Sequence, residues 1–358
     1  MVTKIFKDNW SRYFEKDNAA YLVNGRTAIE KALNHLGSNC VALPTYTCSR
    51  VYEAVLNAGC SPRIIDCRND LQIDHKSVDN FKDVDTVIVP HMFGIQAQEQ
   101  IVYLKSKGYL VIEDCSQCFG LEGLGKYSDV VTNSFYASHI INGAGSGGIV
   151  CFNDVKLYNK AKLLRGWGRS SATFNESEEI EKRFNIKISG IDYDAKYVFS
   201  DLGYNFLPSE MSAAFALEQI KKLKKNIKTR NKNFEYLKKF FGKYPKFFTL
   251  PEQYKGVKTP WLAYPILIKE NKYFNRKEIQ IFLEKNRIQT RTIFTGNILR
   301  QPVMKGRTYK KHFACENIAN NVMKNGLLIG CHQGLSKSDL GFISKTFTKF
   351  MSQKKLLI

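Results

Sequence analysis

Val111-Ile112-Glu113-Asp114-Cys115-Ser116-Gln117 is the stretch from which the fold of this 358-residue chain is read. A short apolar run ends in two acids and then in small polar residues. That is the pattern of a buried strand whose C-terminal end carries a polar loop. In open α/β sheets ligands bind outside that end of the strands.

Working outward, strand and helix patterns alternate on both sides. Val41–Thr47 reads as a strand, and Ser49–Ala58 follows as a helix with Val51, Ala54, Val55 and Ala58 on one face. Further strand patterns lie at Arg63–Cys67, Thr86–His91, Tyr109–Asp114, Thr132–Ala137 and Gly148–Phe152, with a helix at Gln98–Ser106 among them. Such alternation predicts an α/β fold with a mainly parallel sheet covered by helices. A long helix from Ser209 to about Phe241 ends the pattern, and Pro245 and Pro251 punctuate the chain after it. Beyond them come a strand at Ala263–Ile268, a helix at Arg276–Asn286, a strand at Gln289–Ile293, a helix at Asn317–Asn325 and a last helix from Ser336. The expected division is a large α/β domain, 1–240, and a smaller α+β domain, 241–358.

Composition narrows the classes. No apolar run approaches the ~20 residues of a membrane span. Met1–Phe14 lacks the continuous apolar core of a signal peptide. A soluble, cytoplasmic protein is expected. The nine cysteines (Cys40, Cys48, Cys60, Cys67, Cys115, Cys118, Cys151, Cys315, Cys331) have no framework spacing, as reduced core thiols would. Cys115 and Cys118 form a lone C-x-x-C with no second pair, so no metal is expected. The net charge of +21 is spread along helices, as in Lys221-Lys222-Leu223-Lys224-Lys225, with no nucleic-acid motif. It suits a solvated helix face and an anionic substrate.

Four local features carry chemistry. Asn24-Gly25-Arg26-Thr27-Ala28 opens a helix, with Thr27 the expected cap, and its backbone N–H groups make an anion site. Asp114 could pair with a protonated pyridine nitrogen. Asn133-Ser134-Phe135-Tyr136-Ala137-Ser138-His139 leaves a strand and enters the glycine-rich run Gly143–Gly148. Leu202-Gly203-Tyr204-Asn205-Phe206 leads into the long helix.

In this order and spacing the chain resembles the sugar aminotransferases of the DegT/DnrJ/StrS type. The matches are Gly25–Ala28, Leu43-Pro44-Thr45-Tyr46-Thr47, Asp66, Pro90-His91-Met92-Phe93-Gly94, Glu113-Asp114 with Gln117, Ser134-Phe135 and Gly203-Tyr204-Asn205. The resemblance implies an aspartate-aminotransferase-like fold (fold type I) and a homodimer with pyridoxal phosphate at its interface. It implies Asp114 as partner of the pyridine nitrogen and Gln117 beside the ring hydroxyl. Ser134 and the Gly25, Arg26, Thr27 turn would hold the phosphate, joined by Asn205 of the other subunit.

His139 stands where the aminotransferases carry the cofactor-binding lysine. Imidazole forms no Schiff base, so the cofactor would be held non-covalently, while the ring still moves protons near neutral pH. The swap resembles the branch of 3-dehydratases that act on nucleotide-linked 4-keto-6-deoxy sugars with glutamate as amino donor. That branch makes 3,6-dideoxysugars, components of lipopolysaccharide O-antigens. Arg165-Gly166-Trp167-Gly168-Arg169 and Phe294-Thr295-Gly296-Asn297-Ile298-Leu299-Arg300-Gln301-Pro302 resemble its signatures, which makes Arg169, Asn297 and Arg300 candidate substrate ligands. Arg169 to Asn205 contains no cysteine, so no iron–sulfur cluster is expected.

The chain departs from the pattern at Cys48, where relatives place an aromatic residue over the ring; Tyr46 and His91 are the candidate substitutes. Arg26 replaces a small residue or threonine, and the glycine loop after His139 is one residue longer. Two rival readings stay open: an aminotransferase that tolerates histidine, and a non-catalytic relic of the fold acting as a sensor or nucleic-acid binder.

Overall fold

The computed structural model describes residues 2–174, 180–312 and 317–356; Cys315 lies outside them. Seven strands come first along the chain: β1 (Asn18–Leu22), β2 (Cys40–Pro44), β3 (Ser61–Ile65), β4 (Thr86–Pro90), β5 (Leu110–Asp114), β6 (Val130–Ser134) and β7 (Gly148–Phe152). A hairpin, β8 (Ile186–Ile188) and β9 (Ile191–Tyr193), follows. The rest are β10 (Phe248–Thr249), β11 (Tyr264–Ile268), β12 (Thr290–Arg291), β13 (Lys310–Lys311) and β14 (Gly326–Ile329). The helices are α1 (Val2–Tyr13), α2 (Gly25–Leu36), α3 (Ser49–Asn57), α4 (Gln98–Ser106), α5 (Val155–Arg165), α6 (Ile180–Phe184), α7 (Glu210–Phe241), α8 (Arg276–Lys285), α9 (Asn317–Asn325) and α10 (Lys337–Gln353).

The large sheet runs β1-β7-β6-β5-β4-β2-β3-β13. Strands β2 to β6 and β13 are parallel, whereas β7 is antiparallel to both its neighbours. Both faces are covered over β1 to β7, so these strands bury both side-chain sets, whereas the edge strand β13 is exposed. Ala20, Leu22, Ile112, Val130 and Val150 pack toward α2 and α3. Their sequence neighbours Tyr21, Val131 and Ile149 pack with Trp10 and Phe14 of the N-terminal segment, and Val111 packs with Ile101 and Leu104 of α4. Fully burying such a side chain contributes about 1.5–3 kcal/mol. The same two-residue period separates the acids at the end of β5: Asp114 shares the face of Ile112, and Glu113 that of Val111.

A smaller sheet, β10-β11-β14-β12, packs with α7, α8 and α10 around Phe234, Trp261, Tyr264, Ile279 and Phe347. Within the range 241–358 one stretch returns to the large sheet. Ile298 and Met304 enter the core under α2 and α3, and β13 pairs with β3 at its edge. The two parts are further tied by Asp66, just past β3. Its carboxylate accepts the Ile318 and Ala319 N–H groups (3.0 and 3.2 Å) and so caps α9.

Candidate active site

The C-terminal ends of β5 and β6 lie side by side, because Asp114 is paired with Thr132 in the register. Asp114 is buried, and its Oδ1 accepts the Ser116 N–H (3.0 Å), which turns the following loop over the strand end. Two strands along, Ser134 is paired with Gly148 and Gly148 with Leu22, so the chain entering α2 arrives beside Ser134. The approach is close: a Cβ at position 25 would lie 2.5 Å from the Ser134 Cβ, so only glycine fits. Asn24, rather than Thr27, is the N-cap; its Oδ1 accepts the Thr27 N–H (3.0 Å). The Thr27 hydroxyl turns back to the Asn24 carbonyl (2.8 Å) and is buried. The N–H groups of Gly25 and Arg26 lie in the first turn and have no partner within the helix. Together with the Ser134 hydroxyl they suit an anion. Arg26 contributes its backbone only, since its guanidinium lies near Glu30 (3.5 Å), one turn on in α2, and Glu53 of α3 (3.6 Å).

His139 is placed by its own loop. Its N–H donates to the Tyr136 carbonyl (3.0 Å), and the Gly143 N–H donates to the Phe135 carbonyl (2.9 Å), folding the glycine run against the end of β6. The imidazole Nδ1 sits 2.8 Å from the Ser134 carbonyl. A carbonyl only accepts, so Nδ1 carries the proton and Nε2 presents a lone pair. Burial pushes the imidazolium below its ordinary pKa of 6.5, opposed in part by the Ser134 carbonyl and Asp114. The ring is therefore a neutral base at physiological pH.

Gln117 bonds the Phe93 N–H through Oε1 (2.9 Å), and its NH2 has no partner among the described residues. Phe93 has a left-handed backbone (φ 56°), so this bond holds a strained turn. Several family-like motifs converge nearby. Phe294 packs on Phe93 and Tyr46, the Thr295 hydroxyl donates to the Thr47 carbonyl (2.6 Å), and the Ile298 N–H donates to the Thr45 carbonyl (3.0 Å).

Neither expected substitute for the aromatic residue at position 48 is free to cover a ring. Tyr46 is fully buried, with its hydroxyl on the Leu71 carbonyl (2.9 Å). His91 is also buried; its Nδ1 accepts the Ala97 N–H (2.9 Å) and its Nε2 donates to Glu113 (2.8 Å). Cys48 itself is exposed. His91, Cys115 and Cys118 offer donor atoms within 4.8 Å of one another. Both ring nitrogens of His91 are engaged within the protein, and burial pushes both thiols up.

The remaining candidates sit elsewhere. Asn205 is exposed, its backbone bridges to Gly166, and its side chain has no hydrogen bond among the described residues. Asn297 was expected as a substrate ligand, but it is fully buried. Its Oδ1 accepts the Leu299 N–H and its Nδ2 donates to Asn320 (2.9 Å each), so its amide shapes the loop. Arg300 is exposed and bonds Asn320 through Nε (2.5 Å). Arg169 stacks among aromatic rings. The larger cavities, of about 690 and 760 Å³, lie beside Tyr254 and include neither Asp114 nor His139. Tyr136, Ala137 and Ser138, just before His139, are exposed.

An acid at a sheet edge, a helix start beside Ser134, and an oriented base fit pyridoxal phosphate. Fold and site together define a pyridoxal-phosphate enzyme of the aspartate-aminotransferase architecture. Residues 2–347 match the DegT/DnrJ/EryC1/StrS aminotransferase family, and the chain belongs to it. It is 32% identical over 247 residues to the lipopolysaccharide biosynthesis protein RfbH of Salmonella typhimurium, covering 67% of this chain and 56% of that one. The chain thus spans little more than half of that relative's length. It is 29% identical over 313 residues to the GDP-4-keto-6-deoxy-D-mannose 3-dehydratase of Escherichia coli O55:H7, covering 82% and 76% of the two. The solved E. coli GDP-4-keto-6-deoxy-D-mannose-3-dehydratase with bound hydrated PLP superposes with a TM-score of 0.83 at 22% identity, covering 97% and 91%. No helix among the described residues is long and apolar enough to cross a membrane.

Proposed function

We propose that the chain is a 3-dehydratase of nucleotide-linked 4-keto-6-deoxy sugars, with glutamate as amino donor, in 3,6-dideoxysugar formation. The observation that carries the reading is the His139 ring, with Nδ1 tied to the Ser134 carbonyl and Nε2 left as a base. When bound, the cofactor would supply an electron sink and an amine nitrogen. Asp114 would hold the positive charge of the pyridine nitrogen. The first turn of α2 and Ser134 would hold the phosphate, and the Gln117 NH2 would bond the ring hydroxyl. Nε2 of His139 takes the proton whose removal precedes loss of the carbon-3 hydroxyl, and returns protons in the glutamate half-reaction. Overall one oxygen would leave the sugar at carbon 3 while glutamate becomes 2-oxoglutarate and ammonia, which balances the two electrons gained by the 3-deoxy-4-keto sugar.

An imidazole cannot bind the cofactor covalently, and the buried lysines are engaged elsewhere. Lys16 bonds the Ser128 carbonyl (2.6 Å), Lys31 pairs with Glu30 (3.2 Å) and Lys162 bonds the Thr173 carbonyl (3.2 Å). Reversible cofactor binding follows.

A homodimer belongs to the same reading. Exposed apolar side chains (Leu202, Met211) stand on either side of Asn205 in the chain and suit an association surface.

Incubation with glutamate and a panel of 4-keto nucleotide sugars, read by mass, tests the function. Loss of one oxygen from the sugar with ammonia release is the expected result. Stoichiometric amino sugar without ammonia would instead make it an aminotransferase, the activity in the family's own description.

A further inference from the structure

The second half of α7 sorts its side chains by face. Arg230, Phe234, Leu237 and Phe241 recur at three- and four-residue steps and turn inward. The three apolar ones enter the small-domain core, and Arg230 donates to the Trp261 and Leu262 carbonyls (2.9 and 3.0 Å). Lys221, Lys224, Lys225, Lys228, Lys232 and Lys239 fall on the opposite face, and all are exposed. At the rise of an α-helix this row covers about 27 Å.

Little neutralises the row. Lys221 pairs with Glu218, while the other five have no ion pair among the described residues. Between Lys221 and Lys239 the sequence has a single acid, Glu235. Like charges four residues apart oppose helix formation, so Lys221 with Lys225, Lys224 with Lys228, and Lys228 with Lys232 work against α7 in isolation. An anionic surface laid on the row removes that repulsion.

Helix α10 widens the face. Its Phe347 packs on Phe240 and Phe241, and the Tyr236 and Ser344 hydroxyls lie 3.2 Å apart. Phe342, Lys345 and Lys349 stand at i, i+3 and i+7 on its outer side, all exposed. Two of the aromatic rings here are open to solvent, Tyr236 by 41% and Phe342 by 50%. The row starts about 15 Å along α7 beyond Met211, away from the side chains that suit subunit association.

We infer that this lysine face of α7, with Phe342, Lys345 and Lys349 of α10, docks the protein on a membrane surface of anionic phospholipid headgroups. Ammonium groups are drawn to a diffuse phosphate layer without a fixed geometry, and each lysine adds to the attraction. Tyr236 and Phe342 supply rings of the kind that settle at a headgroup layer. A nucleic acid suits the face less well. The row has no exposed arginine to fork onto phosphate or guanine, and two helices lying side by side do not enter a groove. The inference goes beyond the dehydratase reading and does not depend on it.

Co-sedimentation of the holoenzyme with vesicles tests the face. Vesicles of mixed phosphatidylglycerol and phosphatidylcholine should carry the protein down, pure phosphatidylcholine vesicles should not, and rising salt should release it. The triple variant Lys225→Gln, Lys228→Gln, Lys232→Gln keeps good helix formers. It should bind about 5-fold more weakly per lysine, on the order of a hundred-fold together, with the glutamate half-reaction unchanged. A control triple, Lys76→Gln, Lys82→Gln, Lys107→Gln, removes the same charge from exposed lysines of the large domain and should weaken binding by less than about 5-fold. Equal losses in the two triples would make the attraction a property of overall charge and overturn the assignment, as would absence of the parent from the phosphatidylglycerol pellet. A random-sequence DNA duplex that binds more tightly than the vesicles, and loses its hold only in the α7 triple, would make the face a nucleic-acid surface instead.

Discussion

His91 and His139 both leave the same edge of the large sheet, one after β4 and the other after β6, and their surroundings give them opposite chemistry. His91 has both nitrogens engaged, by the Ala97 N–H and the Glu113 carboxylate, in a fully covered site. His139 has one nitrogen engaged, by a backbone carbonyl, and is only half-buried. A ring with two fixed partners is a strut between elements. A ring with one fixed partner is an oriented base, because the fixed bond sets the tautomer and leaves a lone pair aimed outward.

The largest test of that contrast is His139→Asn. A positioned acid–base group contributes roughly a hundred- to ten-thousand-fold. The glutamate half-reaction, followed by the change from aldehyde to amine absorbance, should slow by about that range while thermal stability stays within about 1 kcal/mol. An Asn variant at the parent rate would make His139 a second strut. His139→Lys should make the cofactor reducible onto the protein by borohydride; the parent should lose it on dialysis.

His91→Leu should do the reverse. It leaves the Glu113 carboxylate buried with only Ser128 and Gly125 as partners, and taking a hydrogen-bond partner from a buried charged group costs about 1–3 kcal/mol or more. Urea unfolding should show that loss, with the half-reaction rate per folded molecule nearly unchanged. Glu113 sharpens the point. Burial alone would raise its carboxyl, but the His91, Ser128 and Gly125 bonds outweigh it and hold it below 4.5. Its contribution to stability is present above pH 4.5 and fades as pH falls through the lower, folded value.

A third histidine, His35, gives a smaller effect on the acid side. Burial, with Lys31 and Lys160 nearby, pushes its pKa down to about 3, and neither ring nitrogen has a partner. The unfolded chain takes up that proton near pH 6.5, so stability should fall as pH drops from 6.5 toward 3, by up to about 1.4 kcal/mol per unit. His35→Leu should flatten that slope in denaturation curves at pH 5 and pH 7. For catalysis, the acid limb set by His139 should lie below pH 6.5, since burial keeps the ring neutral.

The smallest effect is expected at Asn297. Asn297→Ala removes a cap on Leu299 and a bond to Asn320 and should lower stability by about 1–2 kcal/mol. The KM for the sugar should not move; a many-fold rise would return Asn297 to the substrate site.

Much of this architecture was legible in the chain. Short continuous apolar runs located β5 and β7, helical patterns located α3, α4 and α9, and an acid closing a buried run located Asp114. These are local signals, set by which side chains one element must bury. Gly25, Ser134 and His139 came into one candidate site only through the resemblance to the DegT/DnrJ/StrS enzymes, because no local spacing links residue 25 to residues 134 and 139. Local patterning could not show that β7 runs antiparallel, or that β13 returns from the C-terminal range to the edge of the large sheet, because strand partners are chosen across long separations. Nor could it tell His91 from His139, or an Asn297 engaged at both ends from one that faces a substrate. The charge and tautomer of an imidazole depend on which donors and acceptors the fold brings within about 3 Å of each nitrogen, and those partners come from other elements.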